Sequence, residues 1–185
     1  MNPFALEHGK AAYRADIALY GLAVVILAGA LARAGPSVSR TEIAAVALAG
    51  LAAWTLVEYA LHRFVLHGVD PFRRWHALHH DRPMALICTP TILSATLFLT
   101  LVFLPALLFG GRWRAGALTL GLLAGYLAYT ITHHATHHWH GGNAWFRQRK
   151  RWHALHHHGE KPACFGVTSG FWDHVFGTAA PAARR

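Results

Sequence analysis

Seven residues occur twice in this chain, and both copies are rich in histidine. Arg-Trp-His-Ala-Leu-His-His stands at positions 74–80 and again at 151–157. Such self-similarity indicates an internal repeat. Residues three and four apart share a face of a helix, so each copy would bring its three imidazoles together. Imidazole nitrogen is a common ligand of iron, copper, zinc and nickel. The two copies therefore predict two half-sites and more than one metal ion.

Further histidines precede each copy at spacings that also suit metal binding. His62 and His67 form a HxxxxH pair before the first copy. Before the second copy, His133 and His137 are four residues apart, as are His134 and His138, so either pair could face the site if the segment is helical. The remaining candidate ligands are His76, His79, His80, His153, His156 and His157. A single histidine is usually a satisfied structural residue, but four clusters favour metal binding.

The donor types narrow the choice of metal without fixing it. Carboxylates are scarce near the histidines, which differs from the Glu-x-x-His pattern of soluble di-iron bundles. Cys88 and Cys164 stand in no CxxC pattern, which argues against a structural zinc site. A shell of eight to ten imidazoles could hold two ions. Imidazole suits both iron and zinc, so the ligands alone do not decide between them.

The rest of the chain predicts a membrane protein that holds these histidines at one surface. The 185 residues are 54% hydrophobic and 14% charged, and the apolar residues form long runs. A helix needs about 20 apolar residues to cross a bilayer. The predicted spans are residues 17–34, 42–61, 85–109 and 115–132. We therefore predict one all-α domain over residues 1–185, a four-helix transmembrane bundle with a histidine-rich helical cap formed by residues 62–82 and 133–178.

Charge predicts which side of the membrane the cap faces. Four crossings place all histidine clusters on one side, with Arg33, Arg40, Arg112 and Arg114 on the other. Most of the 17 Lys and Arg residues, against eight Asp and Glu, fall on the histidine side. The positive-inside rule then predicts a cytoplasmic cap. Basic residues beside apolar runs favour a membrane surface over nucleic acid.

Six residues near the clusters are candidates for supporting roles. Glu58 and Asp173 could accept hydrogen bonds from ligand N–H groups and so orient the rings. Trp75 and Trp152 are predicted to anchor at the membrane interface or to contact substrate. Two tyrosines, Tyr126 and Tyr129, precede the third histidine cluster in the chain, which runs from His133 to His138.

The four histidine spacings, taken as a set, resemble the fatty acid hydroxylase/sterol desaturase superfamily of membrane di-iron enzymes. The chain is most similar to its fatty acid 2-hydroxylase branch. Gly-Tyr-Leu-Ala-Tyr at 125–129 precedes His133 at a similar spacing, and residues 165–178 resemble the branch's FGVTS…WD..FGT ending. The resemblance extends over residues 62–178.

This resemblance implies an O₂-dependent hydroxylase of a lipid acyl chain with two iron ions, which zinc could replace in purified protein. It favours His133 and His137 as ligands over His134 and His138, and it places Tyr126 and Tyr129 near substrate. Thr130 stands where the branch often has Asp. We expect no haem or flavin in this chain. Electrons would then come from an external donor, a ferredoxin or a haem or flavin reductase. The expected location is an integral protein of the bacterial inner membrane.

Two other functions fit the same sequence. Related histidine patterns serve hydroxylases and desaturases of isoprenoids, carotenoids and sterols. A membrane protein that only binds or transports metal would belong to another class. Transport would require polar residues along the spans, and apart from Glu58 and scattered Ser and Thr the spans read as apolar.

Overall fold

A computed structural model describes residues 6–33, 40–159 and 162–180, and these residues are helical wherever they form regular structure. Two π-helical segments are present: Leu61–Leu66 continues the α-helix Arg40–Ala60, and Phe98–Phe103 joins Thr91–Leu97 to Leu104–His138. Within the described ranges, the nearest approach to a sheet is an isolated bridge between Glu7 and Ile87. The prediction of an all-α chain is confirmed. The helices are α1 Lys10–Ala32, α2 Arg40–Ala60, α3 Phe72–Asp81, α4 Thr91–Leu97, α5 Leu104–His138, α6 Ala144–His158 and α7 Phe171–Val175.

Three helical stretches in the described part of the chain are long and apolar enough to cross a membrane. They are Lys10–Ala32, Arg40–Leu66 and Thr91–His138. The last contains Gly111, whose backbone is not helical at φ 73° and ψ 170°. A positive φ of this kind suits glycine because it has no side chain. Two of the four predicted spans lie on either side of Gly111, and the count of four crossings stays a prediction.

The first apolar helical stretch contains buried polar side chains that form hydrogen bonds. Helix α1 begins at Lys10, seven residues before the predicted span, so Asp16 lies inside it and is buried. The Thr91 hydroxyl donates to Oδ1 of Asp16 at 2.5 Å, and the Tyr20 and Ser94 hydroxyls lie 2.6 Å apart. Asp16 lies just before the predicted span 17–34, and Thr91 and Ser94 are among the scattered Ser and Thr that the prediction allowed. Hydrogen bonding offsets the cost of burying these polar groups.

The chain divides into two compact units. The first contains Met1–Trp54 and Leu86–Leu127. Within it, helices α2 and α5 approach so closely that a Cβ on Gly121 would lie 2.0 Å from the Ala47 carbonyl oxygen. Small residues permit such backbone contact between membrane helices.

The second unit contains Thr55–Ala85 and Ala128–Arg185, and it carries every candidate ligand. Helix α6 begins at the Asn143 cap, whose side chain accepts a hydrogen bond from the Phe146 N–H at 2.9 Å. Helix α3 ends at Asp81, two residues before Pro83. These boundaries place both HxxHH motifs entirely on short helices.

Candidate metal centre

Ten histidines of the second unit lie in two groups of five. In each group, one ring nitrogen from every member lies within 4.8 Å of the others. Group A is His62, His67, His76, His80 and His156. Group B is His79, His133, His137, His153 and His157. These ten residues are the same ten that the sequence and the resemblance together favour as ligands; their role as ligands stays a prediction.

Each HxxHH motif contributes its first and last histidines to one group and its middle histidine to the other. Helix α3 gives His76 and His80 to group A but His79 to group B. Helix α6 gives His153 and His157 to group B but His156 to group A. Helical geometry explains the exchange, because residues four apart lie within about 40° of each other around the axis, whereas neighbours differ by about 100°. The prediction that each copy converges on one point is therefore wrong for the middle histidine.

A π-helical turn brings His62 and His67 into one group. Five residues separate them, a spacing that turns away from a shared face in an α-helix. Segment Leu61–Leu66 is π-helical, so its hydrogen bonds connect residues five apart. The two rings have centroids 5.3 Å apart. The α-helical repeat does not predict this shared face, and π-helical turns are too rare to be expected from sequence alone.

Backbone carbonyls fix the tautomer of two rings in group A. Nδ1 of His62 lies 2.5 Å from the Phe165 carbonyl oxygen, and Nδ1 of His156 lies 2.8 Å from that of Ala163. A carbonyl oxygen only accepts, so each Nδ1 must carry the proton. Each Nε2 then holds a lone pair. Nε2 of His62 lies 3.0 Å from Nε2 of His76, which places these lone pairs inside the group.

Group B contains buried ring nitrogens that lack hydrogen bonds. Nε2 of His153 lies 2.7 Å from Nε2 of His137 and 3.1 Å from Nε2 of His157. Among the described residues, both nitrogens of His79 and Nε2 of His133 are buried with no partner. Unsatisfied buried polar atoms are costly, and a bound metal ion would satisfy them. The donor set therefore fits a metal ion in each group.

Burial keeps the imidazoles of α3 and α6 in the neutral form that binds metal. Desolvation is the main cause, and neighbouring histidines lower the pKa further. The pKa falls to about 3 for His79 and His156, to about 4 for His80 and to about 2 for His157. The same causes lower the pKa of His76. These five rings are neutral at pH 7, so protons do not compete with a metal there.

Glu58 and Asp173 hold the loop that supplies the Phe165 carbonyl. Oδ1 of Asp173 accepts from the Phe165 N–H and Oδ2 from the Gly166 N–H, both at 2.8 Å. Oε1 of Glu58 accepts from the Val167 N–H at 2.6 Å. The sequence predicted that these carboxylates accept directly from imidazole. For Asp173 the structure corrects this prediction, because its oxygens accept from loop groups and orient His62 through the loop.

The predicted aromatic residues lie in different surroundings. Trp152 is buried against Gly170, with the Arg149 guanidinium 4.6 Å from its ring, which favours a packing role over an interfacial one. Trp75 is half-buried and contacts Phe72. Tyr129 stacks on His133 with centroids 5.7 Å apart.

The other tyrosine, Tyr126, belongs to the first unit. Its ring contacts Tyr20 and Trp54 there, at centroid distances of 4.9 and 5.5 Å. It therefore packs among aromatic side chains of the apolar spans.

His134 and His138 lie outside both groups. Their rings stack on each other with centroids 4.3 Å apart, on a different face of α5 from His133 and His137. This placement supports His133 and His137, the pair that the resemblance favoured as ligands. The functional groups that sequence reasoning missed are the Ala163 and Phe165 carbonyls, because a backbone carbonyl leaves no signal in residue type.

A model of the fatty acid hydroxylase family matches residues 47–178. The chain belongs to the fatty acid hydroxylase family. This match covers every histidine of groups A and B and the loop that carries the Ala163 and Phe165 carbonyls. The resemblance inferred from the histidine spacings is confirmed.

Two relatives support the assignment of this family member to the 2-hydroxylase branch. It is 33% identical over 153 residues to a dihydroceramide fatty acyl 2-hydroxylase of Arabidopsis thaliana, covering 74% of this chain and 61% of that protein. It is 35% identical over 145 residues to a ceramide very long chain fatty acid hydroxylase of Schizosaccharomyces pombe, covering 71% of this chain and 41% of that protein. The chain thus spans less than two thirds of the length of these relatives.

A solved structure shares the fold of this fatty acid hydroxylase family member. It is full-length scs7p, in which only the hydroxylase domain is visible. The TM-score is 0.82 at 26% sequence identity, over 95% of this chain and 68% of that one. The fold of this chain is therefore similar to that of the visible hydroxylase domain of scs7p.

Proposed function

We propose that this chain is a membrane di-iron hydroxylase that uses O₂ to hydroxylate a lipid acyl chain, as a fatty acid 2-hydroxylase does. The observation that carries the proposal is the pair of five-histidine groups in a chain of this family. Relatives named as fatty acyl 2-hydroxylases support the substrate class. The ten histidines of groups A and B would hold the two ions, with His134 and His138 outside the ligand set.

The protein's own contribution is to hold rings, exclude water and keep imidazoles neutral. Iron ions held in the two groups would supply the O₂-dependent oxidation of an acyl C–H bond. The carbonyls of Ala163 and Phe165 keep the protons of His156 and His62 on Nδ1, so that both Nε2 atoms stay available as ligands. Burial of His76, at 8% exposure, limits the access of water.

We further propose the membrane arrangement and the partner. Four crossings, divided at Gly111, would place the histidine cap on the cytoplasmic side of a bacterial inner membrane. Reducing equivalents would come from a separate ferredoxin or a haem or flavin reductase. Exposed basic residues at 147 and 151 lie on α6 and could meet anionic lipid head groups.

Product analysis tests this function. Cells that express the chain are grown under ¹⁸O₂, and their acyl lipids are analysed by mass spectrometry. The proposal predicts hydroxy-acyl lipids that carry ¹⁸O. His76→Ala should abolish this product because it removes a group A ring, whereas the control His140→Ala, at an exposed position outside both groups, should keep it. Equal product from both variants would contradict the metal mechanism.

The same lipid extracts separate the alternatives. Labelled hydroxyl groups or new double bonds on isoprenoids, carotenoids or sterols, with unmodified acyl chains, would favour the second enzyme function. Metal-loaded protein with neither product would favour a binding or transport protein. The hydrogen-bonded Asp16, Thr91, Tyr20 and Ser94 of the first unit add polar groups to the spans, which is the one observation that favours transport.

A further inference from the structure

The exchange of His79 and His156 has a consequence for how the centre fills with metal. Helix α3 is only ten residues long, and α6 is fifteen. Helices of about this length are marginal on their own, so their positions depend on what holds them. An ion in group A would contact α3 through His76 and His80 and α6 through His156. It would therefore fix both helices at once.

Both helices also carry ligands of the other group. Three of the five group B rings, His79, His153 and His157, lie on α3 and α6. An ion in group A would thus order most of group B before that group binds anything. The converse holds equally, because His76, His80 and His156 of group A lie on the same two helices. The ordering cost of the helices falls on whichever ion binds first.

We propose that His79 and His156 couple the two groups, so that occupation of one group raises the affinity of the other. This inference rests on the proposed metal centre and concerns its assembly. Coupling between sites is typically about 5- to 150-fold in affinity. Repulsion between two cations acts against it, and the test must therefore compare variants in which that repulsion is the same.

Two matched double variants isolate the coupling. His79→Ala/His156→Ala leaves four rings in each group and removes both linking histidines, the residues through which α3 reaches group B and α6 reaches group A. His67→Ala/His133→Ala also leaves four rings in each group, yet it keeps both linking histidines. The two variants have equal numbers of imidazoles and equal charge. They differ in whether the linking histidines are present.

The measurement is native mass spectrometry of the full chain in detergent after chelator treatment and stepwise addition of Zn²⁺. At half loading, two equal and independent sites would leave about half of the molecules with one ion. We expect the one-ion fraction to be several-fold lower in His67→Ala/His133→Ala than in His79→Ala/His156→Ala. Equal one-ion fractions in the two variants would overturn the coupling.

Two outcomes distinguish failure of the metal centre from failure of the coupling. If wild-type protein binds no Zn²⁺ at all, the proposed metal centre fails. If it binds two ions and the variants agree, only the coupling fails. If either double variant does not fold, the single variants His79→Ala and His133→Ala give the same comparison within group B. Each removes one ring, but only His79→Ala removes a linking histidine.

Discussion

The orientation of His62 depends on two hydrogen bonds that lead through Phe165 to a buried carboxylate. His62 donates from Nδ1 to the Phe165 carbonyl, and the amide of Phe165 donates to Asp173. Asp173 is completely buried, so its charge is offset by the N–H groups of the loop and the Thr178 hydroxyl. Removing that charge should therefore affect the loop first and the metal ligand second.

We predict that Asp173→Asn lowers the free energy of unfolding by about 1.5–3 kcal/mol, because an amide cannot accept at both positions and its NH₂ would face the Gly166 N–H. It should also weaken metal binding by about 10- to 100-fold through the freed His62 ring. Thermal unfolding and metal content would be measured together. Asp70→Asn is the control, since that carboxylate pairs with Arg73 at the surface. Unchanged metal affinity in Asp173→Asn would refute the positioning role.

A second prediction concerns which pair of histidines at the end of α5 binds metal. In protein purified without added metal, His133→Ala or His137→Ala should lower the metal content by up to about one ion per chain, because the loss of one of its five rings weakens metal binding in group B. His134→Ala and His138→Ala should leave it unchanged, since those rings stack on each other outside the groups. Metal analysis of the four purified variants decides the register. Loss of metal in the second pair only would reverse the assignment.

At the scale of elements, close helix contact and π-helical turns do the positioning. In the first unit, α2 and α5 meet at Gly50 and Gly121, where a Cβ on either residue would lie within 3 Å of a backbone oxygen. In the second unit, the π-helical Leu61–Leu66 directs two histidines into one group. Both features depend on backbone geometry more than on side-chain chemistry.

We predict that Gly121→Ala destabilises the chain by about 1–3 kcal/mol, because its methyl group would meet the backbone of Ala47 and force α2 and α5 apart. The control is Gly21→Ala in α1, where nothing lies within 4 Å of the added Cβ. That change should leave the unfolding midpoint the same or raise it slightly. Thermal unfolding in detergent measures both, and equal midpoints would show that the close contact contributes nothing.

The sequence predicted much of this centre because histidine chemistry is visible in residue type and spacing. Ten candidate ligands and the apolar segments followed from composition, from the repeat and from the resemblance. The exchange of His79 and His156 did not, because it depends on how two helices face each other. The start of α1 at Lys10 was also missed, because the charged residue Asp16 directly precedes the apolar run and marks its boundary in the sequence. Tertiary contacts decided each of these points.

On the scale of the whole molecule, the metal centre would act as the main cross-link of the second unit. Its ten rings come from α2's π-helical extension and the residue after it, from α3, from the end of α5 and from α6. Few other groups of comparable size are buried among these segments; the core there is largely Tyr59, Phe165 and Trp152. Stability of this unit should therefore follow metal occupancy.

We predict that removing the metal with a chelator lowers the stability of the chain, because ligands that bind only the folded state stabilise it by mass action. The expected loss is about 3–4 kcal/mol when free metal had exceeded Kd by 100- to 1,000-fold. Thermal unfolding before chelation, after it and after readdition of Fe²⁺ would measure the effect. An unfolding midpoint that does not respond to metal would show that the rings pack without an ion.

The central claim, a two-metal oxygenase centre built from ten histidines, is tested most directly by elemental analysis of the full chain purified gently without chelator. We expect about two ions per chain, with iron present in protein from iron-rich cultures or after iron is added back to zinc-loaded samples. No metal, or one ion at most, in well-folded protein would contradict the paired site.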